Sequence, residues 1–217
     1  MLDHSQRTVL LDRDGVINRR IVNGYITRWK DFEFLPGVWS ALRMLRESGY
    51  KVLVVSNQSC VGRGLLSWEE LQAITRRMLL EVALAGGAIE KVYYCPHAPG
   101  DDCSCRKPQP GLLLKAMEEH HVWPAQIYMV GDSESDMEAA ARAGCRGLLV
   151  QRGAFLQRGA LAGTLKNVVS DLQEAANLIV RRDTPTLDET LCRGWSHLHS
   201  AWHAVSHFTN PAKRGHA

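Results

Sequence analysis

At 217 residues, with 45% hydrophobic and 23% charged residues, the chain can bury the core of one ordinary domain and is too short for two large ones. Its 26 Lys and Arg against 23 Asp and Glu leave a net charge of +3 spread along the chain, so nothing in the charge implies nucleic acid and any anion recognition must reside in local motifs. The polar start Met1 to Thr8 lacks the apolar stretch of a secretory signal, and no apolar run is long enough to span a bilayer, so a cytoplasmic protein with no membrane partner is expected.

Short β-prone apolar runs alternate with segments of helical period. Residues 8–11 read as a strand, 38–47 as a helix, 52–55 as a strand, 68–85 as a helix and 92–94 as a strand. A helix follows over 111–120, a strand over 127–130, and a helix near 137–143 that stops at Gly144. A strand over 147–150 and a helix over 171–180 complete the series. Strands that are apolar throughout are those covered on both faces, so an α/β fold with a doubly wound, mostly parallel sheet is predicted over residues 1–182. Beyond residue 183 the alternation ends. Leu187, Leu191, Trp195, Leu198, Trp202 and Val205 recur every three or four residues, which predicts an appended amphipathic helix over part of 183–217. Its apolar face would pack on the domain or mediate self-association, while His199, His203 and His207 read as a solvated polar face.

Ligands of such sheets bind beyond the carboxyl ends of the strands, so the polar residues after each apolar run carry the information. These are Asp12 and Asp14 after the first run, Ser56 and Asn57 after the second, and Asp132 after the fourth, and they should converge. The string Asp12-Arg13-Asp14-Gly15 is by itself weak evidence, since acidic turn residues after a strand are ordinary.

Six cysteines are present, at positions 60, 95, 103, 105, 145 and 192. Cys95, His97, Cys103 and Cys105 lie within eleven residues, and three thiolates with one imidazole form a complete tetrahedral Zn²⁺ set that leaves no position for water. A closed shell of this kind implies a structural zinc that stiffens the loop, and Arg106 and Lys107 follow its last ligand directly.

Asp12-Arg13-Asp14-Gly15, Ser56, Lys107 in Cys105-Arg106-Lys107-Pro108, and Gly131-Asp132-Ser133-Glu134-Ser135-Asp136 occur in the order in which the haloacid dehalogenase superfamily of phosphatases carries its motifs, and the chain resembles that superfamily. The resemblance implies that Asp12 is a nucleophile forming an aspartyl phosphate and that Asp14 is the acid and base. It also implies Mg²⁺ held by Asp12, the Asp14 backbone carbonyl and Asp132, with Ser56 and Lys107 on the phosphoryl oxygens and Asp136 structural. The zinc loop running into Arg106-Lys107, together with Ser56-Asn57-Gln58-Ser59 and Asn23-Gly24-Tyr25, is similar to the heptose bisphosphate phosphatases, with the histidinol-phosphate phosphatases as the nearest rivals. That similarity implies a small-molecule sugar bisphosphate substrate met by Asn23, Gly24, Tyr25, Ser56, Asn57, Gln58, Ser59, Arg106 and Lys107.

Only 40 residues separate Gly15 from Ser56, so no large cap domain fits and selectivity must come from short loops. The loop cations Arg19, Arg20, Arg28, Lys30, Arg63 and Arg106 are candidates for a second phosphate. Three departures from the family pattern stand out: two extra residues between Asn18 and Gly24, serine rather than threonine at position 56, and Ser133 where some members carry lysine.

Overall fold

Period-two alternation along the strands and a three-to-four period along the helices sort the apolar residues into two layers, one on each face of a central sheet. The computed structural model describes residues 7–152 and 167–183. The chain divides into a unit of Met1–Val180 and a second of Arg181–Ala217. The tail helix, its three histidines and Cys192 fall outside the described residues.

Six strands, β1 (Thr8–Leu11), β2 (Lys51–Asn57), β3 (Lys91–Cys95), β4 (Tyr128–Gly131), β5 (Arg146–Val150) and β6 (Val168–Val169), form one sheet in the order β3-β2-β1-β4-β5-β6. Every pairing is parallel. The order reverses between β1 and β4, and that switch point opens a crevice at the carboxyl edge of the sheet. The helices are α1 (Val38–Glu47), the single turn α2 (Ser59–Gly62), α3 (Trp68–Leu84), α4 (Gly111–His120), α5 (Glu134–Ala143) and α6 (Leu172–Asp183). Val9, Leu11, Val52 and Val54 face a core shared with α1, α3 and α6. Their neighbours Leu10, Leu53 and Val55 face a second core shared with α4 and α5. Truncating one of these fully buried leucines to alanine costs about 2–5 kcal/mol, so the strand tips that carry the polar residues rest on a stiff base.

The helix ends follow from local chemistry. Ser67 and Glu70 close a capping box on α3, with the Ser67 backbone N–H donating to the Glu70 carboxylate at 2.8 Å and the Glu70 N–H to the Ser67 hydroxyl at 3.1 Å. Gly144 ends α5 in the left-handed region at φ 76°, as the sequence predicts. Three differences from the sequence reading matter. Ser56, Asn57 and Cys95 are the last residues of their strands rather than loop residues, because each strand runs on beyond its apolar core. The helix near 137–143 begins earlier, at Glu134, because Ser133 and Asp136 cap it. The single turn α2 and the two-residue β6 carry too few residues to show a period and escape sequence reading.

Candidate active site

Asp12 leaves β1 at the switch point with its backbone N–H donating to the Val130 carbonyl of β4 at 2.9 Å, which aims its side chain into the crevice. Three residues on, the chain reverses tightly. Gly15 lies at φ +96°, and a Cβ there would sit 1.9 Å from the Asp132 Oδ2, so the close approach of the two acidic loops requires glycine.

Lys107 reaches the same point from the far side of the sheet. Its buried ammonium forms ion pairs with the Asp12 Oδ1 at 2.9 Å and the Asp136 Oδ1 at 2.5 Å, and it donates to the Val55 carbonyl at 2.9 Å. Asn57 fixes the lysine's backbone, donating to the Lys107 carbonyl at 3.0 Å and accepting from its N–H at 3.1 Å. Asp136 accepts from the Ser133 N–H and hydroxyl at 3.1 and 2.6 Å, so it caps α5 while it holds the lysine. Burial disfavours the Lys107 charge, but Asp12 and Asp136 outweigh it and keep the group protonated. Burial pushes the Asp12 carboxyl up; Lys107 pulls it down, Asp136 and Asp14 push it further up, and the net direction is upward.

Asp132 completes an acidic cluster in which one carboxylate oxygen each from Asp12, Asp132 and Asp136 lie within 4.8 Å of one another. Its Oδ2 accepts from Arg20 at 3.2 Å, while its Oδ1 is buried with no hydrogen-bond donor. Burial raises its pKa to about 6, with Arg20 opposing and Asp12 and Asp136 adding to the rise. Two buried carboxyl groups and a partly buried third, whose Oδ1 lacks a hydrogen-bond donor, fit a hard divalent cation with oxygen ligands.

Asp14 lies in a different environment. Its carboxylate accepts from Asn18 at 2.8 Å, from Gln58 at 2.7 Å, and from the Arg13 guanidinium at 3.1 and 2.9 Å. Burial alone would raise its pKa, but Arg13 and the donors from Asn18 and Gln58 lower it, so the group is held ionised. Gln58 also donates to the Ser56 hydroxyl at 3.2 Å. Asp12, Asp14, Ser56 and Lys107 thus meet at the floor of one cavity of about 870 Å³. Asn23, Gly24, Tyr25, Asn57, Gln58, Ser59 and Arg106 line the same cavity.

Among the loop cations, Arg20, Arg63 and Arg106 line the cavity. Arg19 is taken up by Glu33 in a two-pronged exposed pair at 2.7 and 2.8 Å, and neither Arg28 nor Lys30 is on the cavity wall. Sequence reading passes over the buried Arg13 and Asn18, because an Arg between two aspartates looks like a solvated turn residue. Asp136 lies in the first turn of α5, where the spacing of Ser133 and Asp136 is the sequence mark of a capped helix start.

Beyond β3 the four soft ligands converge. The Cys105 Sγ lies 3.2 Å from the Cys95 Sγ, 3.6 Å from the Cys103 Sγ and 3.2 Å from the His97 Nδ1. The Cys95 Sγ is 3.7 Å from the Cys103 Sγ and 3.5 Å from the His97 Nδ1. A tetrahedral site with Zn–S bonds of 2.3 Å has edges of about 3.8 Å, so the four donors are spaced as ligands of one soft cation. The loop is tied to α2, where the Gly62 N–H donates to the Pro96 carbonyl at 2.9 Å, and to Arg106, which donates to the His97 carbonyl at 3.3 Å. A Cβ on Gly62 would stand 2.6 Å from the Pro96 oxygen, so this contact too needs glycine.

A parallel sheet with this switch-point constellation of two aspartates, a hydroxyl, a lysine and a third acidic loop is the architecture of the haloacid dehalogenase-like phosphatases. Residues 104–175 match the family model described as HAD-hydrolase-like. Over 143 residues the chain is 38% identical to D-glycero-beta-D-manno-heptose-1,7-bisphosphate 7-phosphatase of Helicobacter pylori, covering 64% of this chain and 80% of that one. Over 136 residues it is 43% identical to D-glycero-alpha-D-manno-heptose-1,7-bisphosphate 7-phosphatase of Mycobacterium bovis, covering 62% and 72%. The crystal structure of D,D-heptose 1,7-bisphosphate phosphatase from B. bronchiseptica complexed with magnesium and phosphate superposes with a TM-score of 0.73 at 36% identity, covering 81% of this chain and 99% of that one. The chain belongs to the heptose-1,7-bisphosphate 7-phosphatase family of haloacid dehalogenase-like hydrolases. No helix among the described residues is long and apolar enough to cross a membrane.

Proposed function

We propose that this chain removes the C7 phosphate of a heptose 1,7-bisphosphate, with Asp12 as nucleophile, Asp14 as acid and base, Mg²⁺ at the acidic cluster and Zn²⁺ in the cysteine loop. The observation that carries the reading is the buried Asp12 carboxylate at the switch point, 2.9 Å from the Lys107 ammonium and on the floor of the same cavity as Asp14 and Ser56.

The chemistry follows from that placement. The Asp12 oxygen attacks phosphorus while the bond to the C7 oxygen breaks, and Asp14 delivers a proton to the departing oxygen. Asp14 is held ionised in the resting protein, and an arriving phosphate dianion raises its proton affinity. In the second half Asp14, again a carboxylate, takes a proton from the water that attacks the phosphoryl group, the bond to Asp12 breaks, and phosphate departs. Ser56 and Lys107 hold the phosphoryl oxygens, the lysine being fixed by Asp136 and Asn57. Asp12, Asp132 and the Asp14 carbonyl would hold Mg²⁺, which would supply charge neutralisation for those oxygens. Asn23, Gly24, Tyr25 and Arg106 on the cavity wall are positioned to meet the sugar and its second phosphate.

The test is Mg²⁺-dependent phosphate release from both anomers of heptose 1,7-bisphosphate beside histidinol phosphate and fructose 1,6-bisphosphate. A preference of about a hundredfold or more in kcat/KM for a heptose bisphosphate supports the proposal, and even activity on all four overturns the substrate assignment.

A further inference from the structure

Arg13 is the largest fully buried side chain of the described residues, with 1% of its surface exposed, although it stands between two aspartates at the mouth of the site. It is not on the cavity wall, so it does not meet the substrate. Burying a guanidinium is costly unless its charge is paired, and here Nη2 makes the hydrogen bonds while Nε and Nη1 are buried without a hydrogen-bond partner among the described residues. Its one carboxylate partner among the described residues is Asp14, to which Nη2 donates at 2.9 and 3.1 Å, and the same nitrogen donates to the Gln58 Oε1 at 3.1 Å. Gln58 in turn donates its Nε2 to the Asp14 Oδ2. Asp14, Arg13 and Gln58 therefore close a three-membered ring of hydrogen bonds. Behind it, the rings of Phe32 and Tyr94 lie 6.0 and 5.8 Å from the guanidinium carbon. The Tyr94 hydroxyl is anchored 2.8 Å from the Thr75 hydroxyl, which donates to the Leu71 carbonyl at 2.7 Å, so the support extends into the body of α3.

We propose that Arg13 is the positioning residue for both proton transfers of Asp14: it acts through Nη2, which spans both carboxylate oxygens and is braced by Gln58, and it never touches substrate. The inference rests on the Asp14 role in the proposed function and adds a residue to it. The alternative, that Arg13 merely fills the core, makes a different kinetic prediction. A packing residue lowers activity on every substrate alike. A residue that aims Asp14 lowers the protonation of a poor leaving group and the activation of water, and spares the first transfer to Asp12 when the leaving group departs without a proton.

Arg13→Lys keeps the charge but loses the planar guanidinium that Phe32, Tyr94 and Gln58 hold against Asp14, and Arg13→Gln loses the charge. The full chain loaded with Mg²⁺ is assayed on heptose 1,7-bisphosphate and on p-nitrophenyl phosphate, whose leaving group needs no proton. For the heptose substrate, kcat is expected to fall about 10- to 100-fold in Arg13→Lys and further in Arg13→Gln, with KM little changed, as for loss of an interaction made in the transition state. With p-nitrophenyl phosphate both variants should show a first-turnover burst of nitrophenolate followed by a slowed steady state, because the water step still needs Asp14. Equal losses on both substrates with no burst, or a KM effect with kcat unchanged, overturn the inference. Should Arg13→Gln fail to fold, Arg13→Lys alone decides between these results. Failure of the underlying reading is separately visible, since the unaltered protein would then lack Mg²⁺-dependent phosphate release from either substrate, and the inference falls with it.

Discussion

The two metal-competent regions are built in opposite ways. Around Asp12 the geometry is supplied by the protein: Asp12 follows β1, Asp136 lies in the first turn of α5 and Lys107 in the loop before α4, each is at least 95% buried, and each is held by charged or backbone partners. In the cysteine loop the ligands sit at the end of a strand and then on turns, with His97, Cys103 and Cys105 half-exposed, and backbone ties are few. The first region is organised before its cation arrives. The second is a chain of turns whose four soft side chains converge, so a cation bound there would supply the rigidity. The difference teaches which perturbations are chemical and which are structural.

The largest expected effect breaks the first region without unfolding it. Asp12→Asn removes the proposed nucleophile and keeps the shape, and phosphate release should drop by about 10⁴-fold or more with the thermal midpoint nearly unchanged, as read by steady-state assay and calorimetry. Asp136→Ala acts on the same region through its support. It strips one counter-ion from a buried lysine and removes the α5 cap, and should cost about 3–5 kcal/mol in denaturant unfolding, along with most of the activity. In the second region Cys103→Ser, or chelation of the native protein, should release one bound zinc per chain. Because Arg106 and α2 are tied to that loop, kcat/KM should fall by about 10- to 100-fold while the Asp12 chemistry itself survives on p-nitrophenyl phosphate. The smallest effect is a control remote from both: Ser67→Ala opens the α3 capping box and should cost about 1 kcal/mol with kcat unchanged.

What the sequence disclosed follows the same division. The alternating strands and helices were legible because uninterrupted apolar runs and helical periods are imposed by burial on both faces of the sheet. Asp12, Ser56 and Asp132 were legible because strand tips are where a parallel sheet exposes its polar residues, and Lys107 only through the resemblance of its Cys105-Arg106-Lys107-Pro108 string to the family motif. The cysteine and histidine spacing was legible because four soft ligands so close in sequence have few other uses. The wiring among these residues was not. Nothing in the letters shows that Arg13 turns inward to Asp14, that Arg20 turns to Asp132 and Arg19 away to Glu33, or that the amide of Asn57 is spent on the Lys107 backbone. Those choices depend on side chains meeting across 14 to more than 100 residues of sequence, or on a turn that hides a charge, and neither leaves a periodic trace.

The most direct measurement is acid quench of the Mg²⁺-loaded protein during turnover of heptose 1,7-bisphosphate, followed by mass spectrometry of the peptide that carries Asp12. The account predicts a phosphoryl group on Asp12 that disappears when turnover is complete and never forms in Asp12→Asn. Full turnover with no phosphorylated Asp12 peptide at any quench time, together with near-normal phosphate release by Asp12→Asn, would contradict it.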